Sequence, residues 1–181
     1  MAMYALVDAS NFYASCEQNF RPSLKGVPLV VLSNNDGNAI ARSEEAKALG
    51  IKMGAPWFQI RHMEASHGLV GLSANFPLYG DMSNRLMSLV AGLGHRTEVY
   101  SIDEAFVDVE GIPGDLTERS FKIRARIHRW LGLQCGVGIG STKTLAKLAN
   151  HVSKDAERKP GSYPAHLAQV CNYEALSEKE K

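Results

Sequence analysis

The chain has 181 residues, 45% hydrophobic and 22% charged, an ordinary globular balance that excludes a disordered or collagen-like chain. Its 20 Lys and Arg against 19 Asp and Glu give a formal net charge of +1, which argues against a surface given over as a whole to nucleic acid, so any such contact has to come from local charge. The widely spaced Cys16, Cys135 and Cys171 and six scattered histidines argue against a disulfide framework and a zinc site. No apolar run reaches the roughly 18 residues that span a bilayer. The N-terminus lacks a basic segment leading into an apolar one, so a cytoplasmic location is expected.

"MYALVDAS" opens as a short apolar strand ending at Asp8, and Phe12, Cys16 and Phe20 then recur at helical spacing. "PLVVL" (28–32) reads as a buried strand followed by the turn cluster "SNNDGN". "AIARSEEAKALG" is a short strand passing into a helix that Gly50 stops, and "PWFQIRHM" predicts a short helix. Met82, Leu86, Leu89, Val90 and Leu93 share one face of a longer helix. "VYSIDEAFVDVEG" (99–111) reads as a strand-rich hairpin. Leu116, Ser120, Ile123, Ile127 and Trp130 mark the inward face of the next helix. "LQCGVGIG" is a strand. "STKTLAKLANHVSKDAERK" is a helix capped by Ser141, with Leu145, Leu148, Ala149 and Val152 inward and Lys143, Lys147 and Lys154 along the opposite stripe.

The first strand and these later elements make a βαββαβ plan, an α+β, ferredoxin-like antiparallel sheet with helices on one face and a small α/β insertion after the first strand. The expected division is 1–13 with 82–165, an inserted domain at 14–81, and a further segment at 166–181.

Asp103 and Glu104 stand side by side in an apolar run. Adjacent carboxylates repel and are costly to bury unless a positive charge joins them. In a βαββαβ sheet the first strand lies beside the hairpin, so Asp8 can converge with them. Oxygen ligands without cysteine suit Mg²⁺ or Mn²⁺, and a pair of such ions is the usual device of phosphoryl transfer. Neighbouring strand residues point to opposite faces, however, so a turn or bulge has to rotate one of the two acids. A solvated hairpin tip is the plainer alternative. The lysine stripe reads either as a solvated face or as a phosphate-holding one. "GVGIGSTKT" is neither a P-loop nor a dinucleotide fingerprint; its glycines are expected to give room for close strand packing.

Taken together, "DASNFYASCE", "VVLSNNDG", "AKALGIKMGAPWF", "YSIDEAF" and "GVGIGSTKTLAKLAN" resemble the Y-family translesion DNA polymerases, most closely the UmuC type, with its plasmid-borne RulB-like relatives. The resemblance runs to about residue 155. It implies a polymerase palm (1–13, 82–165), fingers (14–81) and the start of a thumb (166–181). The chain is therefore expected to be a fragment lacking most of the thumb and the little finger. Asp8, Asp103 and Glu104 match the family's carboxylates for two Mg²⁺ ions, Mn²⁺ being an alternative, with Asp103 and Glu104 the catalytic pair and the Ala9 to Phe12 backbone supporting the second ion and the triphosphate. Tyr13 matches the gate that excludes a ribose 2′-OH. Lys47 and Lys154 match triphosphate-binding positions, and Ile40 and Ala41 match residues roofing the nascent base pair. Glu44 departs from the family's frequent Tyr and is expected to point away from the triphosphate. Ser10 and Asn11 depart from more acidic or aromatic residues without loss of a metal ligand.

The implied activity is error-prone, DNA-directed DNA synthesis in damage tolerance. The implied partners are primer–template DNA and dNTP and, by analogy, a UmuD′-like accessory dimer, the recombinase filament and the sliding clamp. A nucleotidyl cyclase built on the same palm and a non-catalytic interaction platform are the competing readings.

Overall fold

The computed structural model describes residues 1–181. Two compact units emerge, one formed by residues 1–10 with 83–181 and the other by residues 11–82. Read from sequence, the divisions fall instead at 13/14 and 81/82.

The first unit is built on a five-stranded sheet. Its strands are β1 (Tyr4–Ala9), β5 (Arg96–Val99), β6 (Glu104–Asp108), β7 (Cys135–Gly140) and β8 (Val170–Asn172), in the order β5-β6-β1-β7-β8. β1 pairs antiparallel with both β6 and β7, which is the strand arrangement of a ferredoxin-like sheet, and β8 adds a parallel edge beside β7. Residues 166–181, assigned from sequence to the start of a thumb, thus contribute that edge strand.

β1 and β7 are buried along almost their whole length, so both faces of the sheet have to be covered. On one side α6 (Leu116–Leu131) packs on β7 and β8, burying Ser120, Ile123 and Ile127. On the other lies α7 (Lys143–Arg158). The expectation of helices on one face is therefore corrected. The physical reason lies in β7. A Cβ on Gly138 would sit 2.1 Å from the Ala146 carbonyl oxygen, and Cβ atoms on Gly136 and Gly140 would meet Asn150 and Leu145 at 2.7 Å. The three glycines make a trough that lets α7 lie on the strand backbone. Their room serves a helix, not strand packing.

Helix faces depart from the sequence expectation at single positions. Phe20, Trp130 and Leu148 are exposed. α7 buries Ala146, Ala149, Asn150, Val152, Ser153 and Ala156, because its close approach over glycine selects small side chains. Its N-cap is Thr142, whose hydroxyl accepts from the Leu145 amide, rather than Ser141.

The second unit holds a three-stranded sheet of β2 (Leu29–Leu32), β3 (Ala39–Arg42) and β4 (Val70–Ser73), ordered β3-β2-β4. It also holds α1 (Phe12–Phe20), α2 (Glu44–Ala48), α3 (Trp57–Ile60), α4 (Met63–His67) and the first half of α5 (Phe76–Val90). Val30, Leu32, Ala39, Ala46, Ile51, Ile60 and Leu69 form its core. Gly50 follows α2 at φ +81°, a conformation glycine adopts without Cβ strain. No helix is long and apolar enough to cross a membrane.

Candidate functional site

In the first unit, Asp8 on β1 is the direct register partner of Glu104 on β6. Both side chains leave the sheet on the face that α7 covers, as do Leu6 and Phe106, which pack against Ala146. Asp103 lies just outside the ladder, in the bend of residues 101–103 that precedes β6. The hairpin tip is thus the turn that rotates one of the two acids, and Val99 and Tyr100 beside it are exposed. That loop releases Asp103 from the alternation that would have turned it away from Glu104. The Ser101 hydroxyl lies 2.7 Å from Asp103 Oδ1 and 3.5 Å from Glu104 Oε2. Two further bonds fix the loop: Ser83 Oγ donates to the Ile102 carbonyl at 2.6 Å, and the Ala9 amide donates to the Asp103 carbonyl at 2.9 Å.

The three lysines of α7 each meet an acid, Lys143 and Lys147 while half-exposed and Lys154 largely out of solvent. Lys143 pairs with Glu98. Lys147 sits 3.6 Å from Glu104 and 4.4 Å from the centre of the Tyr100 ring. Lys154 donates to Asp8 Oδ2. The Asn150 side-chain amide also donates to Asp8 Oδ2, at 3.1 Å, while its own Oδ1 is buried without a partner. Sequence reasoning missed Asn150 and Ser101. A buried Asn on the sheet-facing side of a helix is a detectable signal, but only once that face is known.

Burial raises the carboxyls of Asp103 and Glu104 above their usual range, and the nearby Asp8 adds to the rise at both. Lys154 opposes it at both, and Lys147 opposes it at Glu104. No three His, Cys, Asp or Glu side chains are drawn together tightly enough to close on one ion. The lysine ammonium groups provide the positive charge beside the acids. The donor set of carboxylates and the Ser101 hydroxyl fits a hard divalent cation.

In the second unit, Asn11 starts α1 in a left-handed conformation, φ 50°, which Asn tolerates better than most residues. Its side-chain Nδ2 donates to Glu44 Oε1 at 2.7 Å and its side-chain Oδ1 accepts from Lys47 Nζ. Lys47 also pairs with Glu44 at 3.1 Å. Glu44 therefore does not stand clear of the basic position but neutralises it, because α2 places it one turn before Lys47. Phe12 is buried. Ile40 and Ala41 fall on opposite faces of β3, Ile40 half-buried and Ala41 buried. The half-buried Tyr13 ring stacks on Tyr79.

Residues 7–151 match the impB/mucB/samB family. The chain belongs to that family. Among its relatives, protein UmuC of Salmonella typhimurium is 52% identical over 159 residues, covering 87% of this chain and 38% of the relative. Protein ImpB of Salmonella typhimurium is 50% identical over 154 residues, covering 84% and 36%. DNA polymerase IV of Pelotomaculum thermopropionicum is 36% identical, covering 82% and 38%. Among solved structures, an insertion ternary complex of Dbh DNA polymerase superposes with a TM-score of 0.79 at 29% identity, over 98% of this chain and 49% of that one. DinB from Sulfolobus solfataricus superposes at 0.76 with 28% identity, over 94% and 48%. This impB/mucB/samB-family chain spans little more than a third of the length of the curated relatives it matches.

Proposed function

We propose that this family member is the catalytic palm-and-fingers part of an error-prone, DNA-directed translesion DNA polymerase acting in damage tolerance. Residues 1–13 with 82–165 would be the palm and residues 14–81 the fingers. The observation that carries the proposal is the gathering of Asp8, Asp103 and Glu104 at neighbouring strand ends, with Lys147 and Lys154 reaching the same acids. Its substrates would be dNTP and primer–template DNA.

Asp8, Asp103 and Glu104 would hold two Mg²⁺ ions, or Mn²⁺, with the Ala9 carbonyl as a further ligand. Such ions supply Lewis acidity toward phosphoryl oxygens and lower the pKa of a primer 3′-OH. The protein's own groups prepare the site. The bonds from Ser83 and Ala9 fix the loop that presents Asp103, so the acids are oriented before substrate arrives. Lys154 pairs with Asp8 and holds its side chain in place. Lys154 and Lys147, which reach the same acids, would supply positive charge toward phosphate oxygens and so stabilise the anion that builds up in nucleotidyl transfer. Asn11 and Glu44 hold Lys47 in one position for the triphosphate. Tyr13 would exclude the ribose 2′-OH, and one of Ile40 and Ala41, which face opposite sides of β3, would border the base pair. A UmuD′-like dimer, a recombinase filament and a sliding clamp would be its protein partners.

Primer extension by this chain and by its Asp103→Ala variant, with a primed template, dNTP and Mg²⁺, tests the activity. Slow, Mg²⁺-dependent addition that is abolished by the substitution is expected. Equal product from both proteins would remove the carboxylates from the reaction. Conversion of nucleotide without primer would instead favour a cyclase.

A further inference from the structure

Glu17 is a buried carboxylate outside the metal-site acids and the Lys47 cluster. It is 5% exposed, and its Oε1 accepts a 2.8 Å hydrogen bond from the Tyr79 hydroxyl, whose residue is fully buried. The Tyr79 ring stacks on Tyr13, with centroids 4.4 Å apart and planes 18° from parallel. Phe76, one helical turn before Tyr79, meets both rings edge-on at 5.9 and 6.0 Å. Tyr13 and Glu17 lie one turn apart on α1, so the stack and the hydrogen bond tie the same stretch of α1 to the start of α5.

Burying a carboxylate is costly, and a core aromatic has no need of one. Desolvation pushes the Tyr79 phenol above its usual pKa, which keeps it a proton donor to Glu17. At 2.8 Å the bond lies in the usual O–H···O range and is directional. It fixes the Tyr79 ring in its plane, and the fixed ring then sets the plane of Tyr13. A steric filter is only as selective as the position of the ring that forms it is sharp.

We propose that Glu17 and Tyr79 are positioning residues that fix the Tyr13 ring and thereby set the discrimination of this site between 2′-deoxyribonucleotides and ribonucleotides. The inference rests on the reading of Tyr13 as the sugar-facing residue.

Binding of dATP and of ATP, each with Mg²⁺, is measured by calorimetry on the wild-type chain and on Tyr13→Ala, Tyr79→Phe, Glu17→Met and Glu17→Gln. Ring-flip rates of labelled Tyr13 are followed in parallel by NMR. Tyr79→Phe keeps the ring and removes the hydroxyl, Glu17→Met removes the acceptor at similar volume, and Glu17→Gln retains an acceptor oxygen. The preference for dATP is expected to fall about tenfold in Tyr79→Phe and Glu17→Met, with dATP affinity itself little changed, and to survive in Glu17→Gln. Tyr13 flips are expected to quicken in the first two variants and not in the third. If Tyr13→Ala abolishes the preference while Tyr79→Phe and Glu17→Met leave it intact, the positioning role falls and the reading of Tyr13 stands. If Tyr13→Ala leaves the preference intact, that reading falls and takes the inference with it. Should the wild-type chain bind neither nucleotide, the flip rates decide: unchanged flips in Tyr79→Phe and Glu17→Met overturn the positioning role, and faster flips uphold it.

Discussion

Asp8 and Glu104 face each other across β1 and β6 as register partners, and each is met by a lysine of α7, Asp8 by Lys154 and Glu104 by Lys147. The pairing places two acids on one side of the sheet, and the helix laid on that side supplies their counter-charges. The separation of seven residues between Lys147 and Lys154, two turns of helix, is what lets one helix serve both strands.

The Lys154–Asp8 pair lies mostly out of solvent, with side chains 23% and 12% exposed. Removing one partner of such a pair leaves the other charge poorly solvated. Lys154→Ala is expected to lower unfolding free energy by about 2 kcal/mol in metal-free buffer, with part of the loss recovered on adding Mg²⁺. Urea melts with and without Mg²⁺ check both halves.

Asp103 gives a pH dependence of definite sign. Its carboxyl lies above the ordinary range, chiefly through burial and with Asp8 adding to the rise. An acid raised in the folded state contributes stability that is complete below its unfolded pKa and is lost as pH rises through the folded value. In metal-free buffer the melting temperature of Asp103→Asn is therefore expected to climb relative to wild type as pH goes from about 4 to 7, spanning the carboxylate range. A difference that shrinks with rising pH would show that Asp103 is stabilised as the anion.

The βαββαβ order was legible because each strand carries its own apolar run and each helix its own period. The acids were legible as well, since Asp103–Glu104 interrupts such a run. What the pattern could not carry was α7's side of the sheet. A glycine trough is invisible to hydrophobic periodicity, and with it went the burial of Asn150, the outward turn of Leu148 and the lysine–acid pairs. The site's loop was hidden for a related reason. Tyr100 and Ile102 have strand-forming side chains, yet the Tyr100 and Ser101 amides both turn back to the Glu104 carbonyl, and that tertiary turn overrides local propensity. The side-chain bonds of Asn11 were not legible because its partners, Glu44 and Lys47, are more than thirty residues away.

The trough itself is testable against an internal control. A methyl group at Gly138 would meet the Ala146 carbonyl oxygen at 2.1 Å and the Asn150 amide nitrogen at 2.3 Å, both backbone atoms of α7. Gly138→Ala is expected to cost about 3 kcal/mol or more, or to prevent folding, since neither neighbour can yield alone. Gly80, inside α5, has open space around its missing Cβ. Gly80→Ala is expected to stabilise by about 0.5–1 kcal/mol through helix propensity. Denaturant melts of the two variants measure the contrast.

The central claim is that the carboxylates of the first unit form a metal-dependent nucleotide site. Calorimetry of dATP binding, with Mg²⁺, with Mn²⁺ and with neither, on wild type and on Asp103→Ala, tests it most directly. Binding that requires the cation and disappears in the variant is the predicted result. Binding of equal strength in both proteins, or binding indifferent to the cation, would contradict it.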